Sequence, residues 1–183
     1  MFGPLSNTDA EYLARCLALG INRPISDEAV ATVVAITDGF PSLIQTLFVM
    51  MKYEPDGSST AEKAINAEEI KQKLDDFIDD RNHSQDVTHY VTRIDLYYGD
   101  SVNMAHSILD IMAQGTGSIS FRDINEQTKD NMGSEFIQKQ FIAAYNNLCD
   151  DHYLIENRTD DDYEVMWRYQ ILREIYIRRG KKF

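Results

Sequence analysis

The chain has 183 residues, 43% of them hydrophobic, and a formal net charge of −12 from 18 Lys and Arg against 30 Asp and Glu. That length and apolar content fit one well-buried domain or two small ones and exclude wholesale disorder, while the acidic balance disfavours nucleic-acid binding through a broadly basic surface. Cys16 and Cys149 lie far apart among apolar neighbours, which points to buried thiols in a reducing, cytoplasmic setting; no apolar run reaches membrane-spanning length and no basic segment precedes an apolar signal core.

In chain order, the first half reads as helical. Ser6 is placed to cap a helix whose apolar face is Tyr12, Leu13, Cys16, Leu17 and Ala18, with Asp9 at the third helical position and Gly20 as a stop. Ser26 caps a second helix, with Ala29, Val30, Val33, Val34 and Ile36 at three- and four-residue intervals before Asp38-Gly39 ends it. Pro41 suits the first turn of a third, whose buried stripe is Leu43, Ile44, Leu47, Phe48 and Met51. Glu54-Pro55-Asp56-Gly57-Ser58-Ser59 reads as an exposed loop, followed by a helix through Ile70, Leu74, Phe77 and Ile78. The polar run from Asp79 to Asp86 marks a domain boundary, giving a helical domain over 1–84 and a second domain over 85–183.

The second half opens with helical spacing through Val87, Tyr90, Val91, Ile94 and Tyr97. A helix over 102–112, a short extended run at Ser118-Ile119-Ser120-Phe121, a compact helix around Ile124, a break at Asn131-Met132-Gly133 and a longer helix through Phe136, Phe141, Tyr145 and Leu148 come next. Residues 153–158 and 163–168 read as strands flanking the acidic turn Thr159-Asp160-Asp161-Asp162, and a final helix turns Leu172, Ile175 and Tyr176 inward. Helix, strand, helix, helix, hairpin is the winged-helix order. The expected fold is therefore mainly α: a helical lid-like bundle followed by a winged helix with a small β-hairpin. The aromatic residues follow helical and strand spacing, so core packing accounts for most of them better than base stacking does.

Catalytic signals are weak. A Walker-type loop needs glycines followed by Lys and Ser/Thr, and the Gly180-Lys181 pair is followed by Lys182 instead. His83, His89, His106 and His152 have no metal-ligand spacing, the aspartate pairs lack the calcium-loop glycine and glutamate, and no nucleophile elbow organises Ser, His and Asp. The expectation is a chain without enzyme activity, metal or cofactor of its own. Arg23 before Pro24 reads as a solvated loop cation.

Three groups of residues carry a resemblance: Gly3-Pro4-Leu5-Ser6, Thr37-Asp38-Gly39-Phe40-Pro41, and Leu96-Tyr97-Tyr98-Gly99, with the closing pattern Tyr163 to Arg168 and Ile171-Leu172-Arg173. Together they resemble the C-terminal lid and winged helix of a STAND or archaeal-type AAA+ ATPase, diffusely but over nearly the whole chain. The resemblance implies that Gly39 and Pro41 are accessory contacts to the adenine side of ATP or ADP held by a core absent from this sequence; helix capping alone also explains both residues. It implies a regulatory role, in which nucleotide in that core biases how lid and winged helix dock.

Two other readings compete. A winged-helix DNA-binding regulator would use the basic C-terminal residues Arg168, Arg173, Arg178, Arg179, Lys181 and Lys182, which also suit an acidic partner or the neutralisation of the chain's own acidic surface. An adaptor would offer the acidic surface to a partner protein. Of the two DNA elements, the third helix of the winged domain carries Glu135, Lys139, Asn146, Asp150 and Asp151, and the wing tip carries aspartates, so duplex docking there is electrostatically disfavoured. Expected partners are an ATPase core or another protein, without membrane association and with oligomeric state left open.

Overall fold

A computed structural model of the chain describes residues 4–52, 58–79, 92–115, 117–158 and 163–179. It is mostly helical, with one small antiparallel sheet near the C-terminus. Backbone contacts divide it into two compact units, Met1–His83 and Ser84–Phe183. The boundary expected at 84/85 lies outside the described residues.

The first unit contains α1 (Asn7–Gly20), α2 (Asp27–Thr37), α3 (Pro41–Met50) and α4 (Ala67–Asp79). Local chemistry starts each helix. Ser6 and Ser26 accept hydrogen bonds from the Asp9 and Ala29 backbone N–H groups, satisfying donors that have no intrahelical partner, and Pro41 occupies the first turn of α3. Asn66 Oδ1 does the same for Glu69 N–H at the start of α4. The core is Val30, Val33, Leu43, Ile44, Leu47, Phe48, Met51, Ile70, Phe77 and Ile78, each almost fully buried.

Helix α1 packs differently from the expected face. Ala10, Ala14 and Ala18 are buried, Leu13 and Leu17 are half-buried, and Tyr12, Cys16 and Leu19 point outward. Three alanines on one face let α1 approach α2 and α3 closely, so the larger apolar side chains are displaced to the rim and the outer side. Cys16 is accordingly an exposed thiol rather than a buried one, and Cys149 is half-buried.

The second unit contains α5, described over residues 92–97, then α6 (Val102–Gln114), β1 (Ile119–Ser120), α7 (Phe121–Met132), α8 (Gln138–Asp150), β2 (Leu154–Arg158), β3 (Tyr163–Trp167) and α9 (Gln170–Arg179). The sheet order is β1-β3-β2, with Ile119 opposite Val165 and Glu156 opposite Val165 on the other side. A first strand that pairs with the second strand of the C-terminal hairpin, across α7 and α8, is the winged-helix topology. Ser120 caps α7, and Gly133, at φ +53°, turns the chain out of it. Ile94, Met104, Ile108, Leu109, Ile124, Phe141, Leu148, Val165 and Trp167 form one core, joined by Tyr98, Tyr145, Tyr153 and Tyr176. Leu172, Ile175 and Tyr176 of α9 face inward. Tyr97 departs from the expectation of buried rings: it is 72% exposed, and its face carries the Arg93 guanidinium at 5.9 Å.

Candidate functional site

The turn between α2 and α3 is built by two successive left-handed residues, Asp38 at φ +48° and Gly39 at φ +72°. Asp38 ends α2 and Phe40, buried, leads into Pro41. The lead-in segment crosses this turn: Leu5 N–H donates to the Gly39 carbonyl at 2.9 Å, and a Cβ on residue 39 would lie 2.9 Å from the Leu5 carbonyl oxygen. Gly39 is thus required twice, by its backbone conformation and by the close passage of Leu5. Helix termination and initiation account for the positions of Gly39 and Pro41 by geometry alone.

Arg23 is not the solvated cation its loop position suggests. Its side chain is fully buried, and its guanidinium grips Glu69 through two hydrogen bonds of 2.7 Å. The remaining donors reach the carbonyls of Lys63 at 2.6 Å, Met51 at 3.0 Å and Ala64 at 3.2 Å. A guanidinium has five N–H groups, and these five bonds engage all of them. No donor remains for a phosphate. The arginine instead ties the end of α3 and the chain before α4 to α4 itself.

Among the described basic C-terminal residues, Arg173 is not part of an exposed surface. Arg173 faces inward, only 12% exposed at its side chain, and donates to the carbonyls of Gly115 at 3.0 Å and Ala113 at 2.9 Å; Trp167 Nε1–H donates to the Met112 carbonyl at 3.0 Å. These are carbonyls at the C-terminal end of α6, which have no intrahelical partners, so Arg173 caps α6 and is corrected from a surface contact to a structural one. Arg178 lies 3.9 Å from Glu174. The side chain of Arg179, and Lys181 and Lys182 entirely, lie outside the described residues, as does the acidic wing tip.

On α8 the exposed residues are Gln138, Lys139, Ile142, Ala143, Asn146 and Asp150, with Ile137 exposed just before the helix. Lys139 is the single cation of that helix. Its C-terminus is held from within the domain: Arg93 of α5 makes a two-pronged bond to Asp151 at 2.6 and 3.1 Å, and the Tyr98 hydroxyl joins the same carboxylate at 3.1 Å. The hydrogen bond to Asp151 is the chief cause that pushes the Arg93 pKa up from its ordinary value.

A polar cluster that the sequence did not disclose joins α5, α6 and α9. His106 Nε2 lies 2.8 Å from Asp95 Oδ1, and Nδ1 lies 3.3 Å from the Tyr176 hydroxyl, whose other neighbours are the His106 carbonyl at 3.1 Å and Asp110 Oδ1 at 3.3 Å. Burial, then Asp110, pushes the Tyr176 phenol far above its ordinary value, so it remains a hydroxyl donor throughout the physiological range. His106 and Asp110 share one face of α6, a spacing visible in the sequence, but Asp95 and Tyr176 reach them only through tertiary packing.

Among the described residues, no group of three or more His, Cys, Asp and Glu has metal-binding geometry, and no helix is long and apolar enough to cross a membrane. Comparison with protein-family models, curated proteins and solved structures finds no match.

Proposed function

We propose that the chain is a non-catalytic regulatory or interaction module of a STAND/AAA+-like ATPase, in which the helical unit acts as the lid over a nucleotide-binding core and the winged helix docks according to the nucleotide state. The reading rests on one observation above the rest: the Leu5 segment, through which such a core would join the lid, is hydrogen-bonded to the Gly39 turn, the element that would face the adenine. Any core attached or docked there is held beside the turn. Coupling follows if nucleotide contacts differ between two docked arrangements, because only differential contacts shift an equilibrium. ATP or ADP would belong to the core, and Gly39 and Pro41 would supply accessory contacts through backbone and ring. Arg23, with every donor engaged, supports a lid that shapes the adenine side without gripping phosphate.

The test is a titration of the isotopically labelled chain with adenosine, AMP and ATP, with and without magnesium. The expected result is weak binding, of about millimolar strength, with shifts at Gly39 and Phe40, equal for the three ligands and indifferent to the metal. Turnover of ATP, or binding that strengthens with phosphate and magnesium, removes the reading; so does the absence of any shift at the turn.

A further inference from the structure

Helix α6 presents an unusual outer face. Asn103, Ser107, Asp110 and Gln114 follow at intervals of four, three and four residues, which aligns them along one side over about 16 Å. With His106, and with Asn131 and Met132 at the end of α7, they line a shallow, largely open depression of about 560 Å³. A depression of that size and openness suits the end of one long side chain rather than an enclosed small molecule.

The chemistry of the walls is one-sided. His106 is turned to Asp95 and Tyr176, so both ring nitrogens are engaged. Asp110 accepts from Tyr176 through Oδ1, and its Oδ2 has no partner among the described residues. The amide groups of Asn103, Gln114 and Asn131 and the Ser107 hydroxyl likewise have no side-chain partner among the described residues, and no Lys or Arg lines the cleft. Arg173, three residues before Tyr176, is bound to the carbonyls of Ala113 and Gly115 and is not part of the lining. The cleft also lies at the C-terminal end of α7, where the helix dipole contributes partial negative charge. One carboxylate oxygen, several carbonyl acceptors and a helix C-terminus surround a space without a competing cation.

We propose that this cleft receives the guanidinium of an arginine from a partner polypeptide. A guanidinium carries five donors in a plane and matches a carboxylate flanked by amide carbonyls, whereas an ammonium presents a compact charge that satisfies fewer of these separated acceptors. The apolar stem of the arginine lies along Ser107 and Met132. The net charge of −12 adds long-range attraction for a basic segment. The site is independent of the nucleotide reading, because it is built wholly within the winged helix.

The experiment uses the full labelled chain and two probes, N-acetyl-arginine methylamide and its neutral isostere N-acetyl-citrulline methylamide. Saturable shifts in the side-chain amides of Asn103, Gln114 and Asn131 are expected with the arginine probe, at least about tenfold weaker with citrulline, and at least about tenfold weaker in Asp110→Asn. That substitution retains an acceptor for Tyr176, and an unmoved Trp167 indole resonance verifies the fold, since its N–H is bonded to Met112. If that resonance moves, Asn131→Lys at an exposed position replaces it and is expected to abolish the shifts. No saturation, equal response to the two probes, or a response that survives the informative variant overturns the proposal.

Discussion

The two units hold themselves together with arginines in opposite ways. In the first, one fully buried guanidinium, Arg23, gathers Glu69 and three backbone carbonyls from two separate stretches of chain. In the second the same work is distributed: Arg93 and Tyr98 hold Asp151, while Arg173 and Trp167 cap α6. A concentrated clasp fails at one residue, because removing it takes two donors from the Glu69 carboxylate and one each from the Lys63 and Ala64 carbonyls, while the Met51 carbonyl keeps only the Thr60 hydroxyl. A distributed clasp loses one strand of several, and its partners retain other bonds or access to water.

The sharpest way to break this comparison is Arg23→Ala. Removing one partner of a buried, hydrogen-bonded ion pair costs about 3–5 kcal/mol, here toward the lower end because Glu69 retains some solvent access. The chain has one tryptophan, Trp167, in the second unit. Urea titration followed by indole fluorescence should therefore be nearly unchanged in the variant, while far-ultraviolet circular dichroism should show an earlier transition for the helices of the first unit. Coincident transitions that move together would show that the units do not unfold separately.

The same contrast explains what was legible in the sequence. Caps such as Ser6, Ser26 and Ser120 act within three residues, so their helices could be read from local spacing, and the winged-helix order followed from the alternation of periods. The turn at Asp38-Gly39-Phe40-Pro41 was also local. Arg23 was misread because its five acceptors lie 28 to 46 residues away, and nothing near Pro24 announces them. Tyr12 and Cys16 belong to the expected apolar face yet point outward, because hydrophobicity does not distinguish a large side chain at a rim from an alanine at a close helix crossing. Arg173 looked like part of a basic run because charge is visible in sequence and the carbonyls of Ala113 and Gly115 are not.

A smaller effect sharpens the distributed side. Arg173→Ala removes donors from two carbonyls at the end of α6, but Trp167 still caps Met112, so a loss of about 1–2 kcal/mol is expected, below that of Arg23→Ala. Here the fluorescence transition should move and the first-unit transition should not. Arg173→Lys is expected to recover only part of the loss, because one ammonium cannot reproduce the two directed guanidinium bonds. A loss equal to that of Arg23→Ala would mean that the second unit is pinned at one point after all.

The smallest effect compares the two thiols, one in each unit. Cys16 is exposed on α1, whereas Cys149 is half-buried on α8, and burial pushes its pKa up to about 11. At pH 8 a thiol with that pKa is ionised in only about one molecule in a thousand, and the thiolate is the reacting species. Iodoacetamide at pH 8 should therefore label Cys16 first and Cys149 at least tenfold more slowly, with the two rates converging in urea. The sign of the linked stability term follows: the folded state holds the Cys149 proton more tightly than the unfolded chain, so its contribution is intact below the unfolded thiol pKa and fades as pH rises toward about 11. Raising the pH from 8 to 10 should accordingly speed Cys149 labelling in the native chain by close to the hundredfold gain in thiolate, because below a pKa of about 11 the ionised fraction grows about tenfold per pH unit. A rate at Cys149 that is already fast at pH 8 and nearly flat with pH would show that α8 opens locally, and that the clasp of Arg93 and Tyr98 on Asp151 does not hold its C-terminal turn closed.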